Sequence, residues 1–284
     1  MSNAEQIEYW NGEAGKRWAQ DDDTMARLLG PITEALLEHA AVEGSKHALD
    51  VGCGGGSQSL MLAQRLGAGA RVLGVDISAP MLEVAAAKAE TPAGGRAALQ
   101  FTRADASGHD FGPDRFDLVF SRFGVMFFAD PEGAFGNIRK AMLPGAKLAF
   151  CCWQPLKENA WTWIPLQAAL QHLPPPEPMP PNAPGPFALA DAERTRGILA
   201  AAGFDGIDLH AYRPTLRIGD SPDLGQAVRE LARIGPVARL LTGQPEATLA
   251  RVLPAMEKAL APYYSDGALQ LPAAVWLVTA HNPG

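Results

Sequence analysis

Apolar positions in the first forty residues recur at helical spacing. Met25, Leu28, Leu29, Ile32, Leu36 and Leu37 fall on one face, which predicts helix over 1–42. Gly30-Pro31 interrupts that face and predicts a kink or a break into two helices. From residue 45 the rhythm changes. Short apolar runs at 47–51, 70–75, 99–103, 116–121 and 146–153 alternate with helical stretches. Runs that short, apolar throughout and separated by helices, read as strands buried on both faces: a parallel sheet with crossover helices. The punctuation agrees. Ser78 can cap a helix starting near Ala79, and Asp130-Pro131 is a cap followed by proline at the first helical position. Leu143-Pro144-Gly145 ends that helix and turns the chain into the fifth strand.

Beyond Trp153 the pattern loosens. Residues 174–186 hold eight of the 24 prolines, which excludes regular helix or central strand there. A capped helix from Asp191 to Ala202 follows, closed by Gly203. A sixth strand is expected around 207–217, and a last one over 274–280. Residues 222–262 read as two or three helices broken by Gly235-Pro236, Gly243 and Pro254. The expected organisation is a helical cover over 1–44 and a main domain over 45–284. Residues 154–190 and 222–262 act within it as lid or insertion segments.

Composition narrows the function classes. The chain has 284 residues and a formal net charge of −7. An acidic surface repels polyanions, and the 24 Lys and Arg are scattered without a basic stripe, so no nucleic-acid partner is expected. No run approaches the ~18 apolar residues of a membrane span. The first thirty residues carry Glu5, Glu8, Glu13, Lys16, Arg17 and Asp21-Asp22-Asp23, so no apolar signal core is expected there. Three cysteines make no disulfide framework, and the six histidines lack metal-ligand spacing. A soluble, cytoplasmic protein without a metal is the expectation, with a homodimer as one option.

The most informative segment is Leu49-Asp50-Val51-Gly52-Cys53-Gly54-Gly55-Gly56-Ser57. It follows the first strand and opens a helix, the context a nucleotide-binding glycine loop requires. Its pattern is G-x-G-x-G. A dinucleotide fingerprint wants a third glycine at 57, where this chain has Ser57, so a nicotinamide-dependent oxidoreductase is the alternative and not the first choice. Asp76 ends the second strand, twenty residues past Gly56, where a carboxylate can accept both ribose hydroxyls of a nucleoside. Asp105 ends the third strand and can accept from an exocyclic adenine amine. The Ala106 N–H can reach a ring nitrogen.

This combination resembles the class I S-adenosylmethionine-dependent methyltransferases. The tract from Phe116 to Phe128 and the Leu-Pro-Gly-Ala-Lys-Leu turn are similar to the bacterial small-molecule branch related to the quinone C-methyltransferases. The resemblance implies a Rossmann-like α/β fold: a seven-stranded, mostly parallel sheet with helices on both faces. It also implies an N-terminal helical cover and an inserted helical segment before the last strand. It implies S-adenosylmethionine as cofactor, with S-adenosylhomocysteine as product. Gly52, Cys53, Gly54, Ser57 and Gln58 would hold its amino-acid end, Asp76 the ribose, Ile77 and Met81 the adenine faces, and Asp105 with Ala106 the base edge. Ser121 and Arg122, after the fourth strand, complete that shell. Tyr9-Trp10-Asn11-Gly12 through Trp18 resembles the aromatic segment this branch folds over the cofactor.

The acceptor is a small molecule by the same resemblance. The Asn- or Asp-Pro-Pro-aromatic loop of base-methylating enzymes is absent after the fourth strand, and no acidic metal ligand stands there. Tyr9, Phe123, Phe127 and Trp153 are candidate walls for an aromatic or amphipathic acceptor, His172 is a candidate base, and Arg122 could hold an anionic group of the substrate. Displacement on a sulfonium methyl needs mostly positioning and desolvation, so no catalytic base need be visible.

Overall fold

The computed structural model describes residues 3–90, 94–113, 115–176, 180 and 182–284. Three helices lead: α1 (Asn3–Asn11), α2 (Glu13–Gln20) and α3 (Asp22–Ala40). Strands and helices then alternate as β1 (His47–Val51), α4 (Ser57–Leu66), β2 (Arg71–Asp76), α5 (Ala79–Glu90), β3 (Ala98–Arg103), β4 (Phe116–Arg122), α6 (Pro131–Lys140) and β5 (Met142–Trp153). The remainder is α7 (Ala160–Ala169), α8 (Ala192–Ala201), β6 (Asp205–Tyr212), β7 (Thr215–Ile218), α9 (Leu224–Leu231), α10 (Gly235–Leu241), α11 (Glu246–Leu260), β8 (Tyr264–Ser265), β9 (Ala268–Pro272) and β10 (Val275–His281). None of the described helices is long and apolar enough to cross a membrane.

The chain divides into two compact units. The first runs to Trp153 and takes in Asn182–Ala211 and Trp276–Gly284; the second comprises Gln154–Pro181 and Tyr212–Val275.

The first unit is built on a seven-stranded sheet of order β3-β2-β1-β4-β5-β10-β6. The pairings from β3 through β5 are all parallel, as their near-continuous apolar runs require. The chain leaves β1 toward β2 and β3 on one side, then returns to lay β4 on the other. That reversal opens a crevice at the carboxyl ends of β1 and β4, where ligands of open α/β sheets bind. Helix α3 buries Met25, Leu29, Ile32, Leu36, Leu37 and Ala40.

Several expectations need correction. Pro31 lies inside α3 and does not divide it. It sits on the exposed side, as does Arg27, whose carbonyl loses its helical partner to the proline, so water can satisfy that group while the buried stripe runs on unbroken. Residues 143–145 fall within β5. Phe116 pairs with Met142 and Leu118 with Lys147, so the expected turn survives as a bulge. The stretch expected as one strand over 207–217 is two, β6 and β7, in different sheets; Pro214 between them has no N–H for a continuing ladder. Gly235-Pro236 opens α10, and the exposed Pro254 lies inside α11. Of the proline-rich tract 174–186, residues 177–179 and 181 lie outside the described residues, and the others are in neither helix nor strand.

The second unit carries an antiparallel three-stranded sheet of order β7-β9-β8 with α7, α9, α10 and α11. Asn159 is its polar hub. Its amide donates to the Gln154 carbonyl at 3.0 Å, and its Oδ1 accepts from the Ala274 N–H at 2.9 Å and from Trp161 Nε1 at 3.2 Å. The Trp161 ring lies against Gly235, where a Cβ would stand 2.7 Å from a ring carbon.

Phe135 on α6 anchors the far face of the large sheet. Its fully buried ring meets those of Phe150 at 5.5 Å, Phe128 at 5.8 Å and Phe204 at 6.5 Å between centroids. Phe135→Ala is expected to destabilise the first unit by about 3–5 kcal/mol through lost transfer energy and an unfilled cavity. A lowered guanidinium midpoint checks this, and an unchanged one refutes it.

Candidate functional site

The loop after β1 is shaped by glycine. Gly52, Gly54 and Gly56 have φ of 67°, 55° and 80°, where a side chain is strained. At Gly52 a Cβ would also stand 2.7 Å from the Cα of Gly124, in the segment after β4. The loop is pinned to the neighbouring strand, since the N–H groups of Gly52 and Cys53 both donate to the Val75 carbonyl, at 2.9 and 3.0 Å. A backbone turn with three glycines thus crosses the switch point and opens α4. Among the described residues no group of three or more His, Cys, Asp or Glu is placed to hold a metal.

Three acids stand around this turn. Asp50, next to last in β1, is fully enclosed. Its Oδ1 accepts from Gln58 Nε2 at 3.0 Å and its Oδ2 from Ser59 Oγ at 2.5 Å. Burial pushes its carboxyl up to about 7, against the lowering effect of those donors and of Arg122. Asp76 ends β2 with a carboxylate that bridges two loops. Oδ2 accepts from the Gly54 N–H at 2.8 Å and Oδ1 from the Ser78 N–H at 2.9 Å. Burial raises its pKa, and the N–H groups of Ser78, Gly54 and Ile77 oppose the rise. Each oxygen keeps a second lone pair for a ligand hydroxyl. Asp105, after β3, accepts through Oδ1 from the N–H and Oγ of Ser107 at 3.0 and 2.6 Å. Its Oδ2 accepts from Asn3 Nδ2 at 2.7 Å. Asp105, Ala104, Arg103, Ile77 and Ile7 line an open cleft of about 220 Å³.

The end of β4 and the segment after it close the other side; Ser121 and Arg122, expected after the fourth strand, are its last two residues. Ser121 Oγ donates to the Val51 carbonyl at 2.7 Å, tying β4 to the start of the glycine turn. Phe123 has φ of 63°, and its ring stacks on Trp153 at 4.2 Å and 11°. Arg122 Nη1 donates to Thr33 Oγ1 of α3 at 3.2 Å. Phe127 meets Trp10 edge-on at 5.4 Å, and Trp10 in turn meets Tyr9 at 5.3 Å and Trp18 at 6.0 Å.

The first unit therefore brings together the glycine turn with Cys53, Ser57 and Gln58, the strand ends with Asp76, Ile77, Asp105 and Ala106, and the aromatic groups. Met81 Cε lies 3.1 Å from the Cβ position of Gly54. His172 belongs to the second unit, exposed on the turn after α7. Burial raises the Cys53, Cys151 and Cys152 thiols, Cys151 to about 12, so none is a ready nucleophile. The sequence reading missed the polar ties of the N-terminal helices. Asn11 Nδ2 donates to the Ile77 carbonyl at 3.0 Å and its Oδ1 accepts from the Ala79 N–H at 3.0 Å. Ser78 Oγ donates to the Trp10 carbonyl at 2.7 Å. Lys88 pairs with Asp22 and donates to Ser57 Oγ at 2.8 Å. Asn11 stood inside the quoted aromatic tract; nothing in the run Asp21-Asp22-Asp23 singles out its middle member.

The raised pKa of Asp50 fixes a pH dependence. The unfolded chain releases this proton near the ordinary aspartate value of 3.8, the folded chain near 7, so the folded state binds more protons between those values. Stability contributed by Asp50 therefore falls as pH rises from about 4 to about 7 and is level above. Asp50→Asn removes that slope. The variant should gain on the parent across this window by an amount on the order of 4 kcal/mol. Denaturant titrations at pH 5 and pH 8 check it; a difference that does not change with pH refutes it.

Comparison with known proteins agrees with this geometry. Residues 49–150 match the family model described as a methyltransferase domain. The chain is 35% identical over 144 residues to the demethylmenaquinone methyltransferase of Thermus thermophilus, a match covering 49% of this chain and 64% of that protein. It is 28% identical over 150 residues to the aklanonic acid methyltransferase of a Streptomyces species, covering 51% and 67%. The matched stretch spans about half to two thirds of the length of such curated relatives. Among solved structures, phosphoethanolamine N-methyltransferase 2 of Haemonchus contortus, in complex with S-adenosyl-L-methionine, shares the fold with a TM-score of 0.53 and 20% identity. That match covers 89% of this chain and 53% of that one. Domain match, relatives and sheet topology point the same way: residues 49–150 are similar to a methyltransferase domain, and the sheet has the Rossmann-like fold of the methyltransferase structures it resembles.

Proposed function

We propose that this protein transfers a methyl group from S-adenosylmethionine to a small aromatic or amphipathic acceptor. The observation that carries the reading is the Asp76 carboxylate, held by the Gly54 and Ser78 N–H groups beside a side-chain-free turn at the switch point of the sheet. The cofactor supplies a methyl group activated by its sulfonium charge. Asp76 receives the ribose hydroxyls on its remaining lone pairs, and Ile77 and Met81 flank the adenine. Asp105 and the Ala106 N–H meet the base edge, across the cleft that Asp105 and Ile77 line. Gly52, Cys53, Gly54, Ser57 and Gln58 hold the amino-acid end, with Ser121 and Arg122 on its far side. Trp10 and Trp18, in the helical cover of residues 1–44, shield this from water. Tyr9, Phe123, Phe127 and Trp153 form the acceptor's walls.

Such a site works by placing the acceptor in line with the bond to be broken and by excluding water. A base is needed only where the nucleophile holds a proton. The relatives are named for demethylmenaquinone and aklanonic acid, and the aromatic walls suit acceptors of that size. The absence of a basic stripe and of a base-methylating loop supports an acceptor other than nucleic acid. The same reading makes residues 154–190 and 222–262 insertions in a methyltransferase domain, and the protein cytoplasmic.

Two measurements test it. Asp76→Ala should weaken S-adenosylhomocysteine binding about tenfold to a hundredfold, the worth of hydrogen bonds to a charged acceptor. Calorimetry showing unchanged affinity would reject the assignment, and Asp76→Asn controls for loss of the loop ties. Trp10→Ala should weaken the same ligand by a factor of roughly three to ten, the scale of an aromatic contact, while shifting the melting temperature little because the ring is half-buried. Unfolding of that variant, or full affinity, would remove Trp10 from the site.

A further inference from the structure

Asp105 is already capped by side chains of its own chain. Asn3, at the start of α1, donates from Nδ2 to Asp105 Oδ2 at 2.7 Å and to Ser107 Oγ at 2.8 Å. Ser107 closes the ring, since its N–H and its Oγ both donate to Asp105 Oδ1, at 3.0 and 2.6 Å. A carboxylate oxygen accepts about two hydrogen bonds, so Oδ1 is filled and the place that remains is on Oδ2, beside the Asn3 amide. The Asn3 carboxamide presents an NH₂ group, the same kind of donor as the exocyclic amine of an aminopurine.

The same face of α1 crosses the cleft that Asp105 lines. Ile7, one helical turn past Asn3, lines it with Ile77, Arg103, Ala104 and Asp105. Its side chain is 36% exposed, the one large apolar group left so among the described residues. Asn11, one turn further, is tied to the loop after β2 through the Ile77 carbonyl and the Ala79 N–H. Asparagines thus clamp α1 at both ends, with Ile7 between them. Asn11 is bound to backbone groups, whereas Asn3 holds a carboxylate that faces the cleft.

We propose that Asn3 is an internal competitor for that carboxylate: it caps Asp105 in the free protein and yields the place to a ligand that brings an exocyclic amine. This rests on the methyltransferase reading above, which sets Asp105 at the adenine edge. The exchange trades one N–H donor for another on the same oxygen, so an amine-bearing base completes it at little cost. A base without the amine offers Asp105 no donor, and Asn3 stays in place. Asn3 is then a specificity-determining residue: it weakens the amine-bearing ligand alone, by the fraction of time that the ring stands open. A ring open ~10–30% of the time weakens that ligand about three- to tenfold.

Two ligands that differ only in the amine test this: S-adenosylhomocysteine, and its purine counterpart with hydrogen in place of the amine. Each is titrated calorimetrically into wild type, Asn3→Ala and Asn11→Ala. Asn3→Ala should bind S-adenosylhomocysteine about three- to tenfold tighter than wild type does, and the purine counterpart to within about twofold of wild type. Asn11→Ala loosens the same helix without touching Asp105, so it should leave the ratio between the two ligands as it is in wild type. Unchanged or weaker binding of S-adenosylhomocysteine by Asn3→Ala overturns the proposal, because Asn3 then shares or supports the base edge. Equal tightening of both ligands by Asn3→Ala overturns it too, as does the same gain in amine preference from Asn11→Ala, because the effect is then that of a loosened helix. Asn3→Leu keeps the length of the side chain and removes its donor, and decides the matter should Asn3→Ala fail to fold. If wild type binds neither ligand, the methyltransferase reading fails and not merely this extension of it.

Discussion

Two backbones meet without side chains at the carboxyl edge of the sheet, and much of the site follows from that contact. A Cβ on Gly52 would stand 2.7 Å from the Cα of Gly124, and one on Gly124 would stand 2.6 Å from the Val51 carbonyl oxygen. Strands β1 and β4 are parallel neighbours whose chains depart in opposite directions, so both exits pass through one narrow space. Only glycine on both sides lets them pass. Ser121 fastens the approach by its bond to Val51. The chain must then turn sharply, which forces Phe123 to a φ of 63° that its side chain disfavours. The Phe123 N–H is held to the Cys151 carbonyl at 3.1 Å and the ring stacks on Trp153, contacts that over-determine the strained residue.

Charge at this edge is managed by backbone dipoles more than by ion pairs. Asp76 is stabilised by N–H groups from the turns it joins, and Asp50 by an amide and a hydroxyl. Neither has a cation within ion-pair distance among the described residues. Burial raises both pKa values, so the fold gives up stability near neutral pH to keep these acids in place. Acids held this way leave Arg122 uncompensated. Asp50 and Arg122 attract one another without a hydrogen bond between them, and Gln58 and Ser59 supply one donor to each Asp50 oxygen.

The strands of the first unit were legible because parallel strands buried on both faces read as compact apolar runs. The glycine turn and Asp76 were legible because their chemistry depends on backbone geometry and spacing along one βαβ segment. Prolines misled in both directions. Pro31 and Pro254 sit on exposed helix faces, where water replaces the lost bond, so neither breaks its helix, whereas Pro214 separates two strands that hydropathy alone runs together. The sheet of β7, β9 and β8 was missed because two- to five-residue strands carry too little alternation to stand out. Asn3, Asp22 and Lys88 were missed for another reason. Their partners lie 102, 35 and 66 residues away, and no local pattern encodes a polar tie over such separations.

Those ties also explain how differently the N-terminal helices are held. Helix α3 is fixed by a buried apolar stripe, which water cannot replace. Helix α1 buries only Gln6, and α2 only Ala14 and Gly15. What fastens them is largely polar: Asn3 to Asp105, Asn11 to the Ile77 carbonyl and the Ala79 N–H, and the Trp10 carbonyl to Ser78, with the edge-on contact of Trp10 and Phe127 beside them. Each such bond contributes only about 0.5–1.5 kcal/mol net, because water offers nearly the same partner when the bond breaks. Residues 3–20 therefore detach at a far smaller free-energy cost than α3 does, and they reach the loops after β2 and β3, where Asp76 and Asp105 stand. Cooperative unfolding of the sheet and local release of this segment are separate events with separate energies.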